Sequence, residues 1–311
     1  MTIRETDRAL REFADEVGAA DPVAVAGSRT AWTVGGELVG HARIVSAPRG
    51  IVSVQSEEMT VHVRAGTTVA ELDAALAEHG QRTALPDRGG TVGGALMVGQ
   101  NDLRVGGRGR VRDSLLQMRY IAAAGDVIMA GAPTVKNVSG FDLPRLFIGS
   151  LGVLGLVSEV VLRTNPLPRC SRWVCADGVD PFVAHDHLYR PACVLWNGTR
   201  TWVQLEGHPH DVEDQIRLLS SLGDWHITEE LPELPPYRWS CTPRDLRTLP
   251  SLVKTRFVSV IGVGTVLCDQ PQPGGTVPAA VAELTRRLKA EFDPTGRLNP
   301  GRNPLRSGAW T

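Results

Sequence analysis

The stretch Pro133-Thr134-Val135-Lys136-Asn137-Val138-Ser139-Gly140-Phe141-Asp142-Leu143, followed by Gly149-Ser150-Leu151-Gly152-Val153-Leu154-Gly155, concentrates the unusual residues of this chain. Lys136, Asn137 and Asp142 place polar groups beside the Phe141 ring, and three glycines then recur at every third position ahead of a β-rich segment. Glycine lets a backbone approach a flat ligand where any Cβ would intervene. A surface loop with a glycine-rich turn accounts for the glycines but not for the polar cluster next to them, so the stretch reads as a ligand cradle. It is not a Rossmann fingerprint. That motif needs Gly-x-Gly-x-x-Gly between a strand and a helix, whereas Gly149, Gly152 and Gly155 have a different spacing and lead into a strand.

Upstream, Val23-Ala24-Val25-Ala26 predicts a short buried strand running into Gly27-Ser28-Arg29-Thr30-Ala31. A strand that ends in Gly, Ser and Thr exposes backbone N–H groups able to hold an anion, which makes this a candidate phosphate loop, with an ordinary turn as the alternative. Leu85 to Ala95 carries four glycines around Thr91 and Val92, among them Gly93 and Gly94, denser than a tight turn requires. Gly106 to Asp113 adds Arg108, Arg110 and Arg112, which suit either phosphates or an exposed surface.

Around these motifs the periodicity predicts a helix over 4–17, ended by Gly18, and strands over 51–54 and 61–66. Thr68-Val69-Ala70-Glu71 has the spacing of a capping box for a helix to about His79, with Val69, Leu72, Ala75 and Leu76 inward and Gly80 as terminator. A hairpin is expected from 115–123 and 127–130, and a strand from Leu156 to Arg163 with one face on a core. Asn165-Pro166-Leu167-Pro168 marks a domain boundary because consecutive prolines do not continue a ladder. Beyond it, 192–196 and 201–205 predict a hairpin, 211–222 a helix, 256–266 a strand and 278–292 a final helix, with the proline-rich 231–243 as a loop. That order suggests a small antiparallel sheet with helices on one face.

The chain has 311 residues, enough for two domains, since one core seldom grows past roughly 250–300. Its 33 basic and 34 acidic residues nearly cancel, and no basic block points to nucleic acid or an anionic membrane. Residues 1–18 carry charges throughout, unlike a signal peptide, and no apolar run reaches the roughly 20 residues of a bilayer span, so a cytoplasmic protein is expected. Five cysteines lack any Cys-x-x-Cys pair, and His185-Asp186-His187 and His208-Pro209-His210 lack partners at a ligand spacing, so no metal is expected.

Taken together, the cradle, the Thr91-Val92-Gly93-Gly94 run and the Asp293-Pro294-Thr295-Gly296-Arg297-Leu298-Asn299-Pro300-Gly301 ending resemble the FAD-binding family of vanillyl-alcohol oxidase and p-cresol methylhydroxylase, the PCMH type. The resemblance covers residues 20–165 and the tail. It implies an α+β fold: a two-subdomain FAD-binding domain over 1–165, completed by 291–311, with a smaller antiparallel α+β cap domain over 166–290. It also implies that Gly27, Ser28, Arg29, Thr30 and Ala31 hold the pyrophosphate through their N–H groups. Thr91, Val92, Gly93 and Gly94, with Arg112 and Asp113, would run along the phosphate and flavin side. Ser150, Gly152, Gly155 and Val157 would lie against the ribityl and adenine portions. Asn137, Gly140 and Asn299 would approach the isoalloxazine, in a cradle shared with Lys136 and Asp142. Ser28 and Arg29 stand where relatives usually have glycine, and no His or Cys in that loop supports a covalent link, so FAD is expected non-covalently bound.

Within that family the pattern is nearest to FAD-binding subunits of glycolate or lactate (2-hydroxy acid) oxidase complexes. This implies electron transfer beside a second FAD-dependent subunit and an iron–sulfur subunit, with membrane association only through partners. The metal-binding histidine motif of the substrate-oxidising subunits is missing here. Two other functions stay open: a stand-alone flavin oxidoreductase of a small alcohol or hydroxy acid, and a structural subunit that has lost its flavin. No catalytic residue is singled out.

Overall fold

The computed structural model describes residues 3–133, 142–273 and 277–306, so Lys136, Asn137 and Gly140 of the cradle lie outside the described residues. The chain begins with helix α1 (Ile3–Val17), strands β1 (Val23–Val25), β2 (Arg43–Val45), β3 (Ile51–Gln55) and β4 (Thr60–Arg64), and helix α2 (Val69–Ala77). Strand β5 (Gln81–Arg82) and helices α3 (Val92–Val98), α4 (Val105–Arg108) and α5 (Val111–Ser114) lead to the hairpin β6 (Leu115–Ile121) and β7 (Val127–Gly131). Then come α6 (Leu143–Phe147), β8 (Leu156–Arg163) and β9 (Asn165–Pro166). The remainder is β10 (Cys170–Asp177), α7 (Pro181–His187), β11 (Cys193–Trp196), β12 (Arg200–Gly207), α8 (Pro209–Ser220), β13 (His226–Ile227), β14 (Tyr237–Ser240), α9 (Leu249–Leu252), β15 (Phe257–Val260), β16 (Thr265–Cys268) and α10 (Ala279–Phe292).

Two compact units result. One gathers the chain up to Asn101, Arg110–Pro166 and the C-terminal segment with α10; the other gathers Asp102–Gly109 and the described part of Leu167–Gly275. The chain passes between them at Pro166, beside the proline pair that marks the boundary in the sequence. The helix over 278–292, expected in the second domain, packs in the first unit: Leu288 and Phe292 lie on its core, and the Phe292 ring meets Phe147 edge-on at 5.8 Å.

The first unit is built on an antiparallel sheet in the order β3-β4-β8-β6-β7. Its central strand β8 is buried on both faces, with only Arg163 exposed, where one buried face was expected. Val160 and Leu162 join Val61, Val63 and Met118 in the core that takes the apolar side of α2 and α3. Leu156 and Ile121 belong instead to a cluster with Leu10, Phe13 and Val17 of α1, so the amphipathic first helix is what covers the second face. The buried carboxylate of Glu159 on β8 is satisfied by Arg119 at 2.9 Å and lies 3.2 Å from His62, cross-strand neighbours on β6 and β4.

Helix α2 starts as its spacing predicts: Thr68 Oγ1 accepts from the Glu71 N–H at 3.1 Å and the Glu71 carboxylate accepts from the Thr68 N–H at 2.9 Å. The Thr68 backbone donor, with Arg49 and the Thr68 side chain, holds the Glu71 carboxyl down at about 2. A carboxyl depressed in the folded state stabilises it above its ordinary pKa, and this contribution disappears as pH falls toward 2. Thr68→Ala is expected to cost about 1 kcal/mol in urea unfolding. The stability gap between the native chain and Glu71→Gln should be full above pH 4.5 and close on acidification; a gap constant from pH 6 to 3 would refute the cap's electrostatic part.

The second unit holds an antiparallel sheet in the order β13-β10-β12-β11-β15-β16-β14, with α7, α8 and α9 packed on a core of Val174, Val203, Leu205, Leu219 and Val266. The sequence reading places too few strands here. Tyr237–Ser240 pairs with β16 inside the segment read as a loop, and it does so at the sheet edge, where flanking prolines deprive no inner ladder of a donor. The strand expected over 256–266 is two, because Gly262 and Gly264 turn the chain at φ +79° and +76°.

Candidate cofactor site

β1 is the scaffold of the site. On one side it pairs in parallel with β2, and on the other with the tail: the Val23 N–H donates to Arg297 O at 2.9 Å and the Asn299 N–H to Val23 O at 2.8 Å. The Asp-Pro-x-Gly-x-Leu-Asn ending thus bridges to β1 within the first unit. Buried Asp293 fastens it, accepting from the N–H groups of Arg297 and Leu298 at 3.1 and 2.8 Å and pairing with Lys289. Buried Arg297 donates to Asp21 O, Ala123 O and Val17 O at 2.9, 3.1 and 2.7 Å, and burial lowers its hold on its proton.

The chain leaves β1 in the exposed loop Gly27–Thr30, with Arg29 in the left-handed region at φ +59°. Among the described residues, none of the N–H groups from Gly27 to Ala31 has a hydrogen-bond acceptor. Five successive free donors around one left-handed residue are a donor set of the kind that suits an anion. Arg29 makes no ion pair; its guanidinium carbon lies 5.1 Å from the centroid of the Trp32 ring, and that of Arg302 in the tail lies 4.9 Å from the same ring.

The glycine-rich run lies directly beside this loop. A Cβ on Gly27 would fall 2.5 Å from Thr91 Oγ1, and one on Gly90 3.1 Å from Thr30 Oγ1. Thr91 caps α3, and here the helix-start donors are consumed by the protein: Val92 N–H to Thr67 O, Gly93 N–H to Ala65 O, and Gly94 N–H to Thr91 Oγ1. Thr91–Gly94 therefore shapes the wall of the site, and the free donors belong to 27–31. The far end of α3 meets the second glycine motif, with Gly149 N–H on Leu96 O at 3.1 Å and Leu151 N–H on Met97 O at 2.9 Å. Buried Ser150 has its Oγ 3.5 Å from Met97 Sδ. Asn299 joins the two ends: its Oδ1 accepts from the Val25 N–H at 3.1 Å and its Nδ2 donates to Leu151 O at 3.0 Å. A Cβ on Gly152 would fall 2.3 Å from that Nδ2. Gly155 is required by packing, since its Cβ would strike the Tyr120 and Phe147 rings at 2.5 and 2.9 Å, and Val157 lies in the core.

Segments 27–31, 89–94, 149–152 and 299 are thus brought together. Arg112 and Asp113 form an exposed chain of charges with Arg145 and Asp142, in which Asp142 caps α6. Trp32 and Arg302 escape the sequence reading because nothing local signals that the loop and the tail meet on one ring. In the second unit, a groove is lined by Asp180, Phe182, Trp196 and Arg247, whose guanidinium carbon lies 3.9 Å from the Phe182 centroid. Among the described residues no group of three or more His, Cys, Asp and Glu could hold a metal, the five cysteines are free, and no helix is long and apolar enough to cross a membrane.

The donor set fits the diphosphate of FAD: unsatisfied N–H groups, unpaired cations, and glycine approaches that keep the wall within reach of the loop. Residues 5–131 match the family described as FAD binding domain. The chain is 28% identical to glycolate oxidase subunit GlcE of Escherichia coli K12 over 96% of its own length and 98% of that protein. Glycolate oxidase subunit GlcD of Bacillus subtilis 168 is 31% identical over 40% of this chain and 27% of its own length; the mitochondrial cytochrome D-lactate dehydrogenase of Arabidopsis thaliana is 30% identical over 41% and 23%. Among solved structures, an alkyldihydroxyacetonephosphate synthase superposes with a TM-score of 0.69 at 13% identity, over 96% of this chain and 74% of that one. The matched domain and the shared fold show that the chain contains an FAD binding domain and has the PCMH-type FAD-binding fold.

Proposed function

We propose that this chain is the FAD-binding subunit of a glycolate or lactate oxidase-type complex, working in the cytoplasm beside a second FAD-dependent subunit and an iron–sulfur subunit. The observation that carries the reading is similarity along the whole length to a glycolate oxidase subunit, where the Bacillus subtilis and Arabidopsis thaliana relatives match about two fifths of the chain. FAD, when bound, supplies the electron-accepting and electron-donating chemistry. The residues of the chain bind and orient it. The N–H groups of Gly27–Ala31 hold the diphosphate, and Thr91, Val92, Gly93 and Gly94 form the wall against which it lies. Ser150, Gly152, Gly155 and Val157 shape the ribityl and adenine side, with Gly155 and Val157 acting through the core beneath. Asn299 sets the distance between β1 and the Leu151–Gly152 turn, and Lys136, Asn137, Gly140 and Asp142 border the flavin. Arg112 and Asp113 lie on the same unit as a charged surface. The second unit serves as the cap.

No His or Cys stands in the phosphate loop to form a bond to the flavin, which supports non-covalent binding. The purified chain should be yellow, and acid precipitation should release its flavin into the supernatant. With an artificial dye as acceptor, the isolated chain should not oxidise glycolate or D-lactate, and should do so once co-expressed with its partner subunits. Colourless protein that takes up no added FAD would overturn the cofactor assignment. Flavin retained on the precipitated polypeptide would overturn non-covalent binding, and turnover by the isolated chain would favour a stand-alone oxidoreductase.

A further inference from the structure

We infer that Arg29 is a diphosphate-binding residue, held ready by Trp32 and the tail, so that this chain grips FAD with a side-chain cation in addition to backbone donors; the inference rests on the FAD-binding reading. Three observations carry it. Arg29 adopts φ +59°, a conformation that costs an L side chain roughly 1–2 kcal/mol relative to glycine. Strain of this kind, kept in an exposed loop, calls for a compensating role of the side chain. Second, Arg29 and Arg302 place their guanidinium carbons 5.1 and 4.9 Å from the centroid of one indole ring, and neither forms an ion pair among the described residues. Two cations over one ring repel each other, and with only the Glu37 charge acting on Arg302 and no ion pair on Arg29 they are stabilised by a further anion. Third, Arg29 lies inside a run of five residues whose N–H groups have no acceptor, so its cation and the free donors belong to one short loop.

A diphosphate, carrying two negative charges and several acceptor oxygens, matches that set better than a single carboxylate. Guanidinium also pairs with phosphate oxygens in a bidentate fashion that lysine does not reproduce. Trp32 is a positioning residue. Its ring receives Arg29 from the loop and Arg302 from the tail, and Arg302 is itself anchored by donating to Val34 O at 3.2 Å and to Gly36 O.

The test uses the full chain stripped of flavin, titrated at equilibrium with FAD, ADP and riboflavin. Arg29→Gly should bind FAD and ADP about tenfold more weakly, leave riboflavin binding unchanged, and reduce the salt sensitivity of FAD binding. Because glycine relieves the backbone, the same variant without ligand should be at least as stable to urea as the native chain. Opposite effects on stability and affinity separate ligand binding from a structural role. Arg29→Lys should fall between the two, and Trp32→Leu should lose affinity for FAD and ADP but not for riboflavin. Native-like binding of FAD and ADP by Arg29→Gly would overturn the inference and leave the FAD reading intact. Failure of the native chain to bind FAD would overturn both.

Discussion

Replacing Asp293 by alanine is expected to lower the stability of the first unit by about 3–5 kcal/mol. Asp293 is 1% exposed and its carboxylate serves four donors: the N–H groups of Arg297 at 3.1 Å and Leu298 at 2.8 Å, the Thr295 hydroxyl at 3.4 Å, and the Lys289 ammonium. Alanine leaves all four without that acceptor, the N–H groups of buried Arg297 and Leu298 in a place water does not reach, while Lys289, 28% exposed, keeps the Val153 and Leu298 carbonyls, at 2.9 and 3.0 Å. A buried donor left unmade costs about 1–3 kcal/mol, and breaking a buried ion pair costs more than the pair contributes. Since Leu298 is the residue that bridges to Val23, the loss should also loosen the tail's bridge to β1. Urea unfolding monitored by circular dichroism reads the first effect, and protease cleavage at Arg297 the second. Asp293→Asn keeps one acceptor oxygen and should lose less. A loss below about 1 kcal/mol for Asp293→Ala would show that the clip is dispensable.

The second large effect is expected at Gly152, at φ +69°, where an added Cβ would fall 2.3 Å from Asn299 Nδ2. Alanine there bears the left-handed backbone cost and also displaces the amide that links Leu151 O to the Val25 N–H. Together these should cost about 2–4 kcal/mol and weaken FAD uptake, because the loop from β1 and the glycine turn lose their common tie. Gly80→Ala provides the control. Gly80 has φ +66° but nothing within 4 Å of its would-be Cβ, so it should show the conformational part alone, about 1 kcal/mol. Equal losses at the two positions would mean that Asn299 adjusts freely and that the tie does not organise the site.

Both predictions concern residues whose importance the sequence shows only in part. Asp293 and Asn299 belong to a recognisable ending, yet whether that ending returns to the first domain is not a local property. The bonds that bring it back run from Asn299 to Val25 and from Arg297 to Val17, residues more than 270 positions away. The same holds for α10, whose periodicity gives a helix but not the core that receives Leu288 and Phe292. The glycine motifs were legible as places where something comes close. What comes close to Gly27 is the side chain of Thr91, and what comes close to Gly155 is a pair of aromatic rings.

From the sequence alone follow the features set by nearest neighbours and by pattern: the capped helix α2, the hairpin β6–β7, the strand that precedes the Gly27–Ala31 loop, and the chain division at Pro166, with motifs whose family resemblance implies FAD. These are legible because cap spacing, strand alternation and proline act within a few residues. Tertiary structure alone decided which donors remain free. It spends the N–H groups of Val92, Gly93 and Gly94 on Thr67, Ala65 and Thr91, leaves those of Gly27–Ala31 unpaired, and sets two arginines from opposite ends of the chain on one tryptophan. Hydrogen-bond satisfaction is an account closed over the whole fold, so no local window of sequence can show where it stays open.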